Sequence, residues 1–123
     1  MAEINSYRDL IAWQKAYALG KHVYALASTL PDAERFGLVA SIRRLSYSIS
    51  SHIAQGYGRG NTQDYIWFLK QARGDIYVLD TQLMFALDFR YLEEQAYRKA
   101  KSELDEAERV LAGLIRSIGG KGT

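Results

Sequence analysis

Apolar residues recur at alternating intervals of four and three positions along most of this chain. That is the period of a helix that buries one face. The pattern is strictest in Tyr65, Leu69, Ala72, Ile76, Leu79, Leu83 and Ala86 and predicts a helix over about residues 62–87. Asn61 or Thr62 is placed to cap it, and Asn61 with Asp64 has the spacing of a capping box. Asp88-Phe89-Arg90-Tyr91 reads as the following turn. A further helix is predicted over about residues 92–118 along Tyr97, Ala100, Leu104, Ala107, Leu111, Leu114 and Ile118. Gly119 and Gly120 would end it, leaving Lys121-Gly122-Thr123 frayed.

The first half of the chain is broader in pattern. Leu30-Pro31-Asp32-Ala33-Glu34 reads as a helix start, because proline is tolerated in a first turn and carboxylates suit the positive end of the dipole. The helix would run over about residues 31–56. Val39, Ile42, Ser46, Ile49, Ile53 and Gly56 form its stripe, with Leu38, Leu45 and His52 alongside. Such a wide face suits a helix that touches several neighbours. An initial helix is predicted over about residues 6–28 along Leu10, Trp13, Tyr17, Gly20 and Tyr24, with Ser6 and Asp9 as its capping box. Gly20 inside it costs up to about 1 kcal/mol relative to alanine, which a close helix–helix approach would explain. Gly56-Tyr57-Gly58-Arg59-Gly60-Asn61 is the clearest loop. Three short connections make consecutive helices antiparallel neighbours. The expected fold is all-α, an antiparallel up-down-up-down four-helix bundle forming a single domain over residues 1–123.

Composition removes most catalytic chemistry. Among 123 residues there are one proline, no cysteine and two histidines, so disulfides and thiolate ligands are excluded and a reducing compartment such as the cytoplasm fits. The start has no signal-peptide pattern, and no apolar run is long enough to cross a membrane. His22 and His52 lack the His-x-x-x-His or Glu-x-x-His partners of helical metal sites. The serines at 46, 48, 50 and 51 read as small residues at helix contacts. Asp75 and Asp80 do not share a helical face. No catalytic residue, cofactor or metal ligand is therefore assigned, and the chain is read as a non-enzyme. His22 is expected on the surface, and His52 in the core or an interface.

The formal charge is only +2. Basic residues nevertheless lie among aromatic ones, as in proteins that contact phosphates and stack on bases. Arg43, Arg44, Arg59, Lys70 and Arg73 are the candidates for phosphate contact, with Tyr57 and Trp67 as stacking candidates. Arg43 flanks an apolar stripe, where Asp75 or Asp80 could pair with it. The glycine loop beside Arg59 could attract an anion or serve as a plain turn; it lacks the lysine of a Walker loop and the preceding strand of a dinucleotide loop.

Several blocks carry a family resemblance. Leu10-Ile11-Ala12-Trp13-Gln14-Lys15-Ala16 resembles an L-x-V-W-Q-K-A opening. Phe36-Gly37-Leu38, Ile42-Arg43-Arg44 and Ser48-Ile49 resemble Y-G-L, I-R-R-A and S-I. Ile53-Ala54-Gln55-Gly56-Tyr57-Gly58-Arg59 resembles I-A-E-G-x-G-R, and Phe68-Leu69, Ala72-Arg73-Gly74 and Thr81-Gln82-Leu83 match a third block. The chain is similar to the four-helix-bundle proteins of intervening sequences in bacterial 23S ribosomal RNA genes. It also resembles the accessory protein of diversity-generating retroelements, a basic pentameric barrel that binds reverse transcriptase and nucleic acid. The resemblance implies a homopentamer that binds RNA, DNA or a reverse transcriptase; a purely protein-binding scaffold is the alternative. His52 and Gln55 stand where the family usually has Asn and Glu, and a usual Glu is missing near Val78. The family's arginine–carboxylate network should therefore be rewired, with Arg43 or Arg73 pairing with Asp80.

Overall fold

The computed structural model describes residues 3–119. Four α-helices make up the chain: α1 (Ile11–Ala27), α2 (Leu38–Tyr57), α3 (Thr62–Asp88) and α4 (Glu94–Gly119). Each packs against its sequence neighbours, and α1 closes the ring against α4. The result is the expected up-down-up-down bundle. Its core is built mainly from alanine, leucine, isoleucine and valine. No helix among the described residues is long and apolar enough to cross a membrane.

Both early helices begin later than the sequence predicts, for local reasons. The Ser6–Asp9 capping box forms, but it caps a single 3-10 turn, Tyr7–Asp9. Asp9 Oδ2 accepts the amides of Asn5 and Ser6 at 2.8 and 3.1 Å. Leu10 then turns extended and buries its side chain, so α1 starts afresh at Ile11. Pro31 likewise opens a 3-10 turn, Asp32–Glu34. The chain breaks at Gly37 before α2 begins. Glu34 still serves the α2 terminus, from outside the helix: its Oε1 accepts the Leu38 amide at 3.2 Å. A Cβ at position 37 would lie 2.8 Å from that same oxygen.

The stripes of α2 and α3 are buried as predicted, apart from half-buried Tyr65, Leu38 and His52. In α1 the core face is rotated. Ala12, Ala16, Leu19, Gly20, Val23 and Ala27 are buried, whereas Tyr17 and Tyr24 are each 47% exposed. Small residues bring the α1 backbone against α2, so closely that a Cβ on Gly20 would fall 1.9 Å from the Ser46 carbonyl oxygen.

The α3–α4 turn is a Schellman motif, with Tyr91 N–H bonded to Ala86 O at 2.8 Å and Arg90 N–H to Leu87 O at 2.9 Å. Arg90 occupies its left-handed position at φ 64°. Leu92 is buried ahead of α4 rather than within it, and α4 is helical through Gly119, the last described residue. The predicted fraying of Lys121-Gly122-Thr123 lies outside the described residues.

Candidate nucleic-acid interface

The glycine segment between α2 and α3 is tighter than a free loop. Gly56 lies inside α2, where a Cβ would meet the Phe68 Cβ at 2.8 Å. Gly58 caps α2, its amide bonded to Ala54 O at 3.1 Å. Only Gly60, at φ 85°, needs left-handed backbone. Asn61 then caps α3, its side chain accepting the Asp64 amide at 2.8 Å.

This turn presents Arg59 at one end of the bundle. Its guanidinium lies over the Phe68 ring at 5.7 Å, and its Nε approaches Asp64 Oδ2 at 3.3 Å. Phe68 also meets Trp67 edge-on at 4.9 Å, and Tyr57 meets Tyr65 edge-on at 6.1 Å. Trp67 is 56% exposed, Tyr57 half-buried. Lys70, one turn further along α3, is exposed and makes no ion pair among the described residues. Tyr57, Arg59, Trp67 and Lys70 thus share the loop end of the bundle.

The other three candidates lie elsewhere. Arg43 precedes Tyr57 by fourteen positions on α2, about 21 Å of helix rise. It turns toward α1, with its guanidinium over the Tyr24 ring at 4.9 Å and its buried Nε without a hydrogen-bond partner among the described residues. Arg44 is exposed beside it, and Arg73 is half-buried. Four residues on, the Tyr77 hydroxyl donates to Glu108 of α4 at 3.0 Å, a bond that holds it above the ordinary tyrosine pKa. The seven candidates do not form one surface.

The expected arginine–carboxylate pairs are replaced. Asp75 Oδ2 accepts from Ser48 Oγ at 2.9 Å and is 2.7 Å from His52 Nδ1, tying α2 to α3. Asp80 pairs with Lys101 at 3.1 Å, and Lys101 also reaches Asp105 at 3.0 Å. Hydrogen bonds to Asp105 and then Asp80 hold the Lys101 ammonium above the usual lysine pKa, against the opposing effect of partial burial. Both aspartates are engaged away from Arg43, which faces the opposite side of α2. His22 is also not a plain surface residue: it is half-buried and paired with Glu103, linking α1 to α4.

Ser48 Oγ donates to Asp75 Oδ2, the same oxygen that faces His52 Nδ1, so the hydroxyl's partner is the carboxylate and not the imidazole. No group of three or more His, Cys, Asp or Glu side chains that could hold a metal occurs among the described residues.

The family model of the 23S rRNA-intervening sequence protein matches residues 8–113, from the first turn into α4. The chain belongs to that family. No curated protein matches it. In this 23S rRNA-intervening sequence protein, the blocks that carry the resemblance have identifiable physical roles. Phe36-Gly37-Leu38 forms the joint into α2, and Gly56 lets α3 approach α2 at Phe68. Ile42 fills the core, while Arg43 braces Tyr24.

Two surfaces are not legible as sites in the sequence. One is the outward face of α3, where Trp67, Gly74, Val78, Thr81 and Phe85 align and are all exposed. Their seven-four-three-four spacing is present in the chain, overshadowed by the stricter core stripe. The other is a groove between α1 and α2 lined by Tyr17, Tyr24 and Tyr47. Its tyrosines come together only because α1 is rotated.

Proposed function

We propose that this protein is a non-catalytic helical scaffold that assembles with copies of itself, as a homopentamer, and positions structured RNA or DNA, or a nucleic-acid enzyme such as a reverse transcriptase, in the cytoplasm. The observation that carries the nucleic-acid reading is the loop end of the bundle. There, exposed Arg59 and Lys70, the latter without an ion pair among the described residues, project beside exposed Trp67. Their role is electrostatic positioning of phosphates rather than reading of bases. Arg44 extends the basic surface along α2. Arg43 and Arg73, each beside a tyrosine, contribute charge from behind, and Tyr57 stiffens the turn. Five copies at +2 each carry a formal +10, and a ring concentrates that field on one face.

Self-assembly is supported by Gly74. It sits mid-helix with open space around it, costing about 1 kcal/mol relative to alanine with no benefit inside the chain. A neighbouring backbone packed on the α3 stripe would supply the benefit. That same stripe favours the second reading, a scaffold for protein partners alone.

Fluorescence anisotropy of the size-verified oligomer with a structured RNA hairpin and a duplex DNA, over a salt series, separates the two. Micromolar or tighter binding that weakens steeply with salt is expected. Arg59→Glu with Lys70→Glu should weaken it across sequences and lower the salt slope by about one for each phosphate no longer neutralised. No binding at low salt would leave the protein-only scaffold.

A further inference from the structure

The α1–α2 groove differs in chemistry from the groove along α4. It encloses about 300 Å³ and is lined by Tyr17, Gly20, Lys21, Tyr24, Ser46, Tyr47 and Ser50. No carboxylate is among them. The groove along α4 is the opposite case: there Arg98, Lys101 and Arg109 are interleaved with Asp105 and Glu106, so its cations are internally matched.

One cation, Lys21, lines the tyrosine groove, and a second, Arg43, borders it from a neighbouring concavity that also holds Asp32; each lies over an aromatic face. Lys21 Nζ lies over the Tyr17 ring at 4.8 Å, and the Arg43 guanidinium over the Tyr24 ring at 4.9 Å. Neither makes an ion pair among the described residues. Tyr17 and Tyr24 are two helical turns apart, a rise on the order of 10 Å. That spans about three nucleotides at the 3.4 Å spacing of a stacked strand. The groove also contains an unused polar group: Ser50 is 7% exposed, and its hydroxyl has no hydrogen-bond partner among the described residues. The floor is shallow and rigid because the Gly20 backbone rests directly on the Ser46 carbonyl. At about 300 Å³ the space is at the small end of ligand pockets, the size for one planar ring.

We propose that this groove receives an unpaired base of a single-stranded nucleic acid. The base stacks on Tyr47, Ser50 supplies a hydrogen bond to its edge, and the strand's phosphates meet Lys21 in the groove and Arg43 at its border. Stacking of this kind tolerates any base and is strengthened by neighbouring cations. The site rests on the nucleic-acid reading above but is separate from the Arg59–Lys70 end.

The test is anisotropy with three labelled probes: a twelve-nucleotide single-stranded DNA, the same backbone with abasic sites throughout, and a duplex. The proteins are wild type, Tyr47→Ala, Tyr47→Phe, Lys21→Glu and Arg59→Glu with Lys70→Glu. Size-exclusion chromatography with light scattering is run on each. Tyr47→Ala is expected to weaken single-strand binding roughly five- to hundred-fold, with duplex binding and oligomer mass unchanged. Tyr47→Phe should retain single-strand binding, Lys21→Glu should weaken it, and the abasic probe should bind wild type as poorly as the normal strand binds Tyr47→Ala. Single-strand binding that is indifferent to Tyr47→Ala and abolished in the Arg59–Lys70 variant overturns the groove site while sparing the nucleic-acid reading. No binding of any probe overturns both. A smaller assembly in Tyr47→Ala shows that a second copy of the chain occupies the groove, and overturns the proposal.

Discussion

Two backbone positions show how single residues set this structure. Gly20 has no side chain because α2 is already there. A methyl group would collide with the Ser46 carbonyl at 1.9 Å, and backbone on both sides cannot yield as a flexible side chain would. Overpacking costs typically about 1–3 kcal/mol, and the better helix propensity of alanine offsets about 1 kcal/mol. Gly20→Ala is therefore expected to destabilise the fold by up to about 2 kcal/mol, seen as a lower urea midpoint at unchanged slope. Arg90 is the converse case. It holds the left-handed position of the Schellman turn at φ 64°, a conformation costing a non-glycine residue roughly 1–2 kcal/mol. Arg90→Gly should raise stability by about 0.5–1 kcal/mol once the larger unfolded-state freedom of glycine is subtracted. A fall in the midpoint would mean that the Arg90 side chain contributes more than its backbone strain costs.

At the scale of elements, the contact between α2 and α3 is tied by one carboxylate that serves two partners. Removing Asp75 leaves Ser48 and His52, both half-buried, without their acceptor. Asp75→Ala should cost about 1–3 kcal/mol. Combined with His52→Ala it should show a coupling energy of at least about 0.5 kcal/mol; strict additivity would show that the pair contributes nothing jointly. What the sequence can reveal divides along the same lines. The α3 helix is legible from Tyr65 to Ala86 because its core stripe is unbroken and Asn61 caps it directly. The starts of α1 and α2 are not, because the Ser6–Asp9 box and Pro31 signal that a helix begins, not how far it runs. Leu10 ends its first turn by burying its side chain in the core, and Gly37 ends the other beside the carboxylate of Glu34, three residues back. The buried face of α1 is hidden in the sequence because large tyrosines look more like core than alanines do, yet close packing puts Ala12, Ala16 and Gly20 inside. Spacing alone sets Arg43 near acids, but its position on α2 turns it to α1 and Tyr24, away from Asp75.

For the whole molecule, the decisive feature is an apolar stripe that the bundle itself does not cover. Trp67, Val78 and Phe85 align along the outside of α3, and Phe89 continues the line at its end; each of the four is about half exposed. Burying the rest of a large apolar side chain contributes roughly 1 kcal/mol or more at about 25 cal/mol per Å². One stripe per subunit is thus a substantial share of what association requires. A closed five-membered ring needs heterologous contacts, in which the stripe of one copy meets a different surface of the next. A stripe that met only itself would give a two-fold dimer. Light scattering distinguishes these directly: five chains of 13.9 kDa weigh about 70 kDa, two about 28 kDa. Wild type is expected at the pentamer mass. Phe85→Glu should dissociate it toward 13.9 kDa while circular dichroism still reports a helical fold, since that side chain is not part of the core. Gly74→Ala should separate the two levels. It should stabilise the individual bundle by up to about 1 kcal/mol, because nothing lies within 4 Å of the added methyl group, and weaken assembly, because a neighbouring backbone could no longer approach as closely. A variant more stable as a monomer and unchanged as an oligomer would show that Gly74 has no role at an interface, and that the stripe is not where subunits meet.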